Sequence, residues 1–400
     1  MPLNFNSRRF ALFVLFFLPG LGHASWATRT PALRDALTAS TEQMGFILFG
    51  PSIGSLSGIL ASGALTTRFG TRNVIRLGLL TLSAGLALTA LSAEGELAAL
   101  AFAGLFLFGI GVGWMEVAIN VEGALLEEIS GKSIMPALHG CFSLGTFVGA
   151  MIGMGMSHLA VSVVAHVSGI AAVTLCITLY FVRFVPVHKS SPDHASKQSS
   201  FGAVIVKELK DLRLMLIGLF VLGLALAEGS ANDWLPLLMV DDYGVRQPIE
   251  SAVFVIFACS MTIGRFAGGF AVDRFGEKVV ARMSAASAAV GLLLVIIAPH
   301  PLIAAAAVAF WGLGAALGFP LAISAGASSG RNSAVRVSLV ATIGYLAFLV
   351  GPPSLGLLGE HFGLRIAFLP VFGLACIAIL AAASIGRRRG STESQLGEAA

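Results

Sequence analysis

Charge is what this sequence has least of. Asp, Glu, Lys and Arg together make up 12% of its 400 residues, against 56% hydrophobic residues. A water-soluble chain of this length cannot cover its surface with so little charge. Mean hydropathy is +0.88. The net charge of +4 is too small and too scattered for a nucleic-acid surface. Only four cysteines occur, Cys141, Cys176, Cys259 and Cys376. Each lies inside an apolar run and no pair has metal-ligand spacing, which excludes a disulfide framework or a zinc site. No Gly-Lys-Ser/Thr phosphate loop is present, and no polar stretch is long enough for an ATP-hydrolysing domain. No catalytic nucleophile stands out. The chain therefore reads as neither an enzyme nor a cofactor protein, and any work it does must draw on an ion gradient.

What is present is a series of long apolar runs. They fall at 10–32, 43–66, 76–93, 97–121, 135–159, 161–183, 214–238, 250–272, 279–298, 302–326, 337–359 and 364–386. Each approaches the ~20 residues that cross a bilayer as a helix. The expected fold is an all-α membrane protein of twelve transmembrane helices. Positive charge then sets the orientation. With the N-terminus inside, 20 of the 25 Lys and Arg fall on the cytoplasmic side, and four (Arg29, Arg34, Arg246 and Arg365) fall outside. Arg265 lies within a span. Both termini are expected in the cytoplasm.

The first run also has the look of a cleavable leader, with Arg8-Arg9 before it and Gly22-His23-Ala24-Ser25 within it. An internal repeat argues that it belongs to the fold. Gly63-Ala-Leu-Thr-Thr67-Arg68-Phe69-Gly70 recurs 206 residues later as Gly269-Phe-Ala-Val-Asp273-Arg274-Phe275-Gly276, and Trp26 falls opposite Trp234 at nearly the same offset. The first run thus has a counterpart in the seventh. Two pseudo-symmetric six-helix bundles follow, 1–183 and 214–400, joined by a polar cytoplasmic linker at 184–213. In that linker Phe201, Val204, Ile205, Leu209 and Leu212 recur at helical spacing, and a short amphipathic helix is expected.

These motifs resemble the major facilitator superfamily over essentially the whole chain. The loop signature Gly-x-x-x-Asp-Arg-x-Gly is complete at Gly269 to Gly276, while the copy at Gly63 to Gly70 carries Thr67 in the Asp position. Gly113-Trp-Met-Glu116-Val-Ala-Ile-Asn120 and His139-Gly-Cys-Phe-Ser143-Leu-Gly145 are similar to fucose–proton symporter relatives. Ala227-Glu228-Gly-Ser-Ala-Asn232-Asp233-Trp234 and Gly344-Tyr-Leu-Ala-Phe-Leu-Val-Gly-Pro-Pro353 resemble the YbjJ-like bacterial inner-membrane members. The resemblance implies the superfamily fold and transport by alternating access in the inner membrane.

Ionisable groups inside spans are costly and point to function. Glu116 is the clearest case. Gly109, Gly113, Glu116, Asn120, Gly123 and Glu127 share one stripe of the fourth helix, the glycines leaving room for a ligand or a neighbouring helix. Glu116 is expected to bind and release a proton; the alternative is a neutral acid bonded across a helix pair. Glu122 and Glu127 read as helix-end charges. Glu228 and Asp233 are further proton-coupling candidates unless satisfied by a neighbouring Arg or Asn, and Asn232 shares a face with Glu228. Gly229-Ser230 and Pro236 are expected to weaken the seventh helix there. His23, near the centre of the first run, either meets a solute or packs. His139 reads as structural. Trp26, Trp114, Trp234 and Trp311 fall in the first, fourth, seventh and tenth runs; in the superfamily these four helices line the cavity. They form either an indole wall for a solute or packing. Arg265, Gly269 and Asp273 share a face. With Arg68, Arg274 and Gly276 they are expected to brace a cytoplasmic gate.

The leading expectation is a proton-coupled symporter of a small polar, sugar-like solute, working as a monomer in the lipid bilayer. A second is a proton-coupled efflux antiporter, disfavoured because Gly145, Gly149 and Gly153 in the fifth run are not accompanied by the Pro that efflux members of the superfamily tend to carry there. A membrane sensor would need an output domain, for which the sequence has no room.

Overall fold

The computed structural model describes residues 5–130, 134–186, 207–208, 210–246, 248–330 and 333–386. Most of the linker, including the expected amphipathic helix, lies outside these residues. Twelve helices are long and apolar enough to cross a membrane. They are span 1 (Phe5–Ala27), span 2 (Thr41–Phe69), span 3 (Thr71–Ser92), span 4 (Ala98–Ser130), span 5 (Ala137–His158), span 6 (Val163–Phe184), span 7 (Leu212–Asp241), span 8 (Ile249–Phe275), span 9 (Glu277–Ile297), span 10 (Pro301–Ser328), span 11 (Val335–Phe362) and span 12 (Leu364–Ser384). The side that holds the start of span 1 and the end of span 12 is here called the terminal face; the opposite side is the distal face. Large apolar side chains such as Leu60, Phe270, Leu302 and Leu380 are exposed on the bundle exterior, where lipid would cover them.

Turn chemistry sets the span ends. Ser40 and Gln43 form a reciprocal cap at the start of span 2, and Ser162 and Asp211 cap spans 6 and 7. Three corners have almost the same backbone: Gly70 (φ 79°, ψ 155°), Gly276 (81°, 151°) and Gly363 (81°, 153°). Each follows a Phe and joins two antiparallel spans in a conformation that only glycine adopts readily. Two of them belong to the repeat found in the sequence. The third, between spans 11 and 12, had the same Phe-Gly signal and extends the repetition to the distal face.

Span 1 is an integral part of its bundle. A Cβ on Gly20, Gly145 or Gly149 would run into the facing backbone of the other helix, so spans 1 and 5 touch main chain to main chain. Glycines 145, 149 and 153 form the groove that receives span 1. Span 1 ends at Ala27, earlier than the apolar run suggested, and the chain continues as a separate short helix, Thr30–Leu37. His23 therefore sits near the distal end of its span, not at the centre.

Two helix irregularities differ from expectation. Span 7 is unbroken from Leu212 to Asp241 despite Gly229, Ser230 and Pro236. The Ser230 hydroxyl donates back to Leu226 O at 2.6 Å, and Trp311 Nε1 donates to Ala227 O at 3.0 Å, so tertiary contacts and back-bonding support the backbone there. The break falls in span 10, between helices Pro301–Ala315 and Gly318–Ser328. Pro320 has no N–H to give to Ala316 O, which breaks the ladder at that turn.

Candidate functional site

The polar groups at mid-membrane lie on spans 4, 7, 8 and 11. Glu116, Asn120, Glu228, Asn232, Arg265 and Tyr345 are all partly exposed although each sits well inside its helix. Arg265 reaches Ser143 of the other half and Tyr345 lies near Glu116, so we take the space at this boundary between the halves as the candidate cleft. Glu116 makes no hydrogen bond or ion pair among the described residues, and Tyr345 from the other half lies within electrostatic reach of it. Asn120, one turn along span 4, has a buried Oδ1 with no protein partner, as have His23 Nε2 and Trp114 Nε1. An unbonded buried polar atom is uncommon and costs about 1–3 kcal/mol, which singles out Asn120 and Trp114 beside Glu116 on span 4.

The stripe that carries Glu116 divides in two. Gly109 and Gly113 press against the backbone of span 2, so they serve a neighbouring helix and leave no pocket. Only Glu116 and Asn120 remain for the cleft. Glu122 is the clear correction. It was expected to be a solvated helix-end charge, yet it is fully buried, accepting from Arg8 Nη2 at 2.6 Å and from the Thr71 hydroxyl. Glu127 caps the start of span 5, taking the N–H groups of Ile134 and Met135 at 2.6 and 2.9 Å.

Of the two acids on span 7, Glu228 is paired. Its Oε1 accepts from Arg265 Nη2 at 2.7 Å, while Arg265 Nη1 reaches across to Ser143 Oγ of the N-terminal half, also at 2.7 Å. Thr262 Oγ1 adds a second bond to the same residue, donating to Ser143 O at 3.2 Å. Asp233 is buried and has no partner among the described residues. The structure does not bring Arg265 and Asp273 together as the gate expectation required. A guanidinium at mid-membrane takes the nearest buried carboxylate, and that is on span 7. Asp273, Arg274, Gly276, Arg68 and Gly269 are all exposed on the terminal face, and Arg68 and Arg274 lie over the rings of Phe69 and Phe275. His139 is exposed, with its ring edge against Phe16.

The tryptophans do not form an indole wall. Trp26, Trp234 and Trp311 are fully buried within their bundles, and only Trp114 keeps exposed surface. Trp311 packs between Phe257 and Phe368 and bonds to span 7, whereas the indole N–H groups of Trp26 and Trp234 stay unbonded. His23 stands edge-on to Trp26 at 5.1 Å.

A second polar cluster escaped the sequence reading. Where span 1 meets span 8 on the distal side, Ser251 Oγ donates to Thr28 O at 3.3 Å. The neighbours of that pair, Arg29 and Glu250, are buried with it, and so is His166 of span 6. In the sequence Arg29 counted only as a loop charge. The signal lay in Glu250 at the first position of an apolar run, where a carboxylate needs a reason.

The halves meet unevenly. On the distal face Arg34 Nη1 donates to Asp241 Oδ2 at 2.5 Å and Glu42 N donates to Glu360 Oε2 at 3.2 Å. Gly45 and Gly356 let spans 2 and 11 touch there; a Cβ on Gly356 would lie 2.7 Å from Gly45 Cα. On the terminal face no hydrogen bond or ion pair joins the halves among the described residues. Among the described residues, the polar contacts that join the halves lie on the distal face and at the level of Ser143 and Arg265.

Known proteins fit this geometry. The Major Facilitator Superfamily model matches residues 10–335 and 251–400. The uncharacterised transporter y4wD of Sinorhizobium fredii is 29% identical over 369 residues, 92% of this chain and 95% of that protein. Among solved structures, the nucleoside transporter NupG superposes with a TM-score of 0.72 at 15% identity, covering 94% of this chain and 98% of that one. The Escherichia coli fucose:proton symporter FucP gives 0.65 at 18%, covering 94% and 97%. With a family model spanning nearly all of the sequence and the twelve-helix fold to match, this chain belongs to the Major Facilitator Superfamily and is a multi-pass membrane transporter, not an enzyme.

Proposed function

We propose that the protein is a proton-coupled secondary transporter of a small, neutral, polar solute, working by alternating access. It would sit in the bacterial inner membrane with both termini cytoplasmic, act as a monomer, and draw on the proton gradient with no cofactor. The observation that carries this reading is Glu116: a carboxylate inside span 4, facing the cleft, with no partner among the described residues. A group so placed is free to exchange a proton as the cleft opens to one side and then the other. The arrangement around it suits hydroxyl and amide groups, since Asn120 Oδ1 can accept and Trp114 Nε1 can donate. A neutral solute is favoured because Arg265, the cation of the cleft, is already neutralised by Glu228. The solved neighbours that carry a nucleoside and fucose lend support at the level of chemistry, both cargoes being neutral and rich in hydroxyls. The charge asymmetry of the sequence supports the orientation.

A ligand screen by thermal shift at two pH values comes first. Uptake of the resulting solute into proteoliposomes, with and without an imposed pH difference, then tests coupling. Glu116→Gln should bind the solute and exchange it in counterflow but fail to accumulate it. Normal pH-driven accumulation by this variant would remove Glu116 from the coupling role and turn attention to Asp233 and Glu228. Indifference of the wild type to the gradient would sink proton coupling itself.

A further inference from the structure

The distal junction of spans 1 and 8 holds ionisable groups that the cleft does not use. Glu250 is fully buried. Its Oε1 lies 3.2 Å from the Ser251 hydroxyl, whose one proton it shares with Thr28 O at 3.3 Å, and its Oε2 is buried with no donor. Arg29 lies within electrostatic reach from the other half, yet no ion pair forms between them. The guanidinium is committed to its own half instead: Nη1 donates to Ser157 Oγ at 3.1 Å and Nη2 to Val161 O at 2.7 Å. His166 of span 6 is the titratable group that faces Arg29 from behind, buried with neither ring nitrogen bonded. The next ionic layer outward is the Arg34–Asp241 pair.

This junction exists only while the distal face is shut. Ser251 and Thr28 belong to different halves, so separating the halves returns Glu250 to water and leaves Arg29 and His166 in the N-terminal bundle. Closing reverses this and strips Glu250 of all solvent without giving Oε2 a donor. A carboxylate desolvated in that way closes at much less cost carrying a proton than carrying a charge.

We propose that Glu250 is a second proton-binding site, distinct from the mid-membrane cleft, which takes up its proton as the distal face closes. The proposal rests on the alternating-access reading given above, but it does not require Glu116 to be the coupling group. In effect the gap between the halves is itself the site's door: acid on the distal side favours closure, and release follows when the face reopens.

The test measures the distance between spin labels at Leu159→Cys and Leu302→Cys, exposed positions at the distal ends of spans 5 and 10. The four native cysteines are replaced by Ser. Neither solute nor gradient is present, so the result stands apart from the fate of Glu116. In the otherwise wild-type background the open population should rise as pH increases from about 5 to about 8, by up to about tenfold per pH unit for one proton. Glu250→Gln, which copies the protonated shape, should stay closed at every pH. Glu250→Asp and His166→Gln should each keep a pH response. An unchanged response in Glu250→Gln would overturn the proposal. So would a distal face that opens in that variant, because attraction between Glu250 and Arg29 would then be what holds it shut. If Glu250→Gln does not yield monodisperse protein, the other samples still decide: a flat pH profile in the wild type refutes the site, as does loss of the response in His166→Gln with no change in Glu250→Asp.

Discussion

The two ends of the cleft are fastened in opposite ways. On the distal face the polar contacts cross between the halves: Arg34 to Asp241, Ser251 to Thr28, Glu42 to Glu360. On the terminal face the contacts between described residues are of another kind. Arg8 and Thr71 close on Glu122 inside the first bundle. Arg336 binds Glu208 and Asp211, and Arg213 donates to Ser384 O and Gly386 O, which ties the end of the linker to the second bundle. The difference teaches a division of labour. Terminal-face ion pairs tie parts of one bundle, or the linker, together, whereas distal contacts tie one bundle to the other. Alternating access needs both properties, a stiff unit and a reversible seam.

The sharpest way to break the comparison is Arg8→Gln. It takes the cation away from a fully buried Glu122 that keeps the Thr71 hydroxyl, and losing one partner of such a pair is worth about 3–5 kcal/mol. The expected outcome is a large fall in melting temperature with an unaltered label distance across the distal face. A changed distance at unchanged stability would show that this pair belongs to the seam after all.

Gly356→Leu acts on the seam. A side chain cannot fit between spans 2 and 11, and overpacking of this kind costs about 1–3 kcal/mol. The halves should part distally and transport should fall, while each bundle keeps its fold by thermal melting. Retention of the closed distance would mean that the helices slide past one another rather than separate.

Removing the outer ion pair should do least. Arg34 and Asp241 are partly solvated, and a pair of this kind contributes about 0.2–1 kcal/mol, less at high salt. Asp241→Asn should widen the distal distance distribution only slightly, and added salt should produce the same change in the wild type. A full opening would place the seam's strength in this pair rather than in the buried junction beneath it.

Much of this molecule was readable from its residues. Span number, the repeated Phe-Gly corner and the placement of Glu116 inside a span follow from rules that act locally: run length, spacing, and the rarity of charge inside an apolar run. What could not be read depends on neighbours far along the chain. Glu122 looked solvated because nothing nearby in sequence reveals Arg8, 114 residues away, beside it. Arg265 was read as part of a gate network with Asp273 on one face of its own helix, but it pairs with Glu228 on another. The glycines around Glu116 admitted a ligand or a helix equally well, and only packing showed that span 2 takes the space. The helix break was sought at Pro236 and found near Pro320, because side-chain support of the backbone at span 7 is a tertiary effect.

The contact between spans 1 and 5 has a mechanical consequence. With Gly20, Gly145 and Gly149 placing main chain directly on main chain, almost no soft material separates the two helices. Such a joint has little left to compress. Under hydrostatic pressure the bundles should hold their volume, and the response should come from the water-accessible space between them.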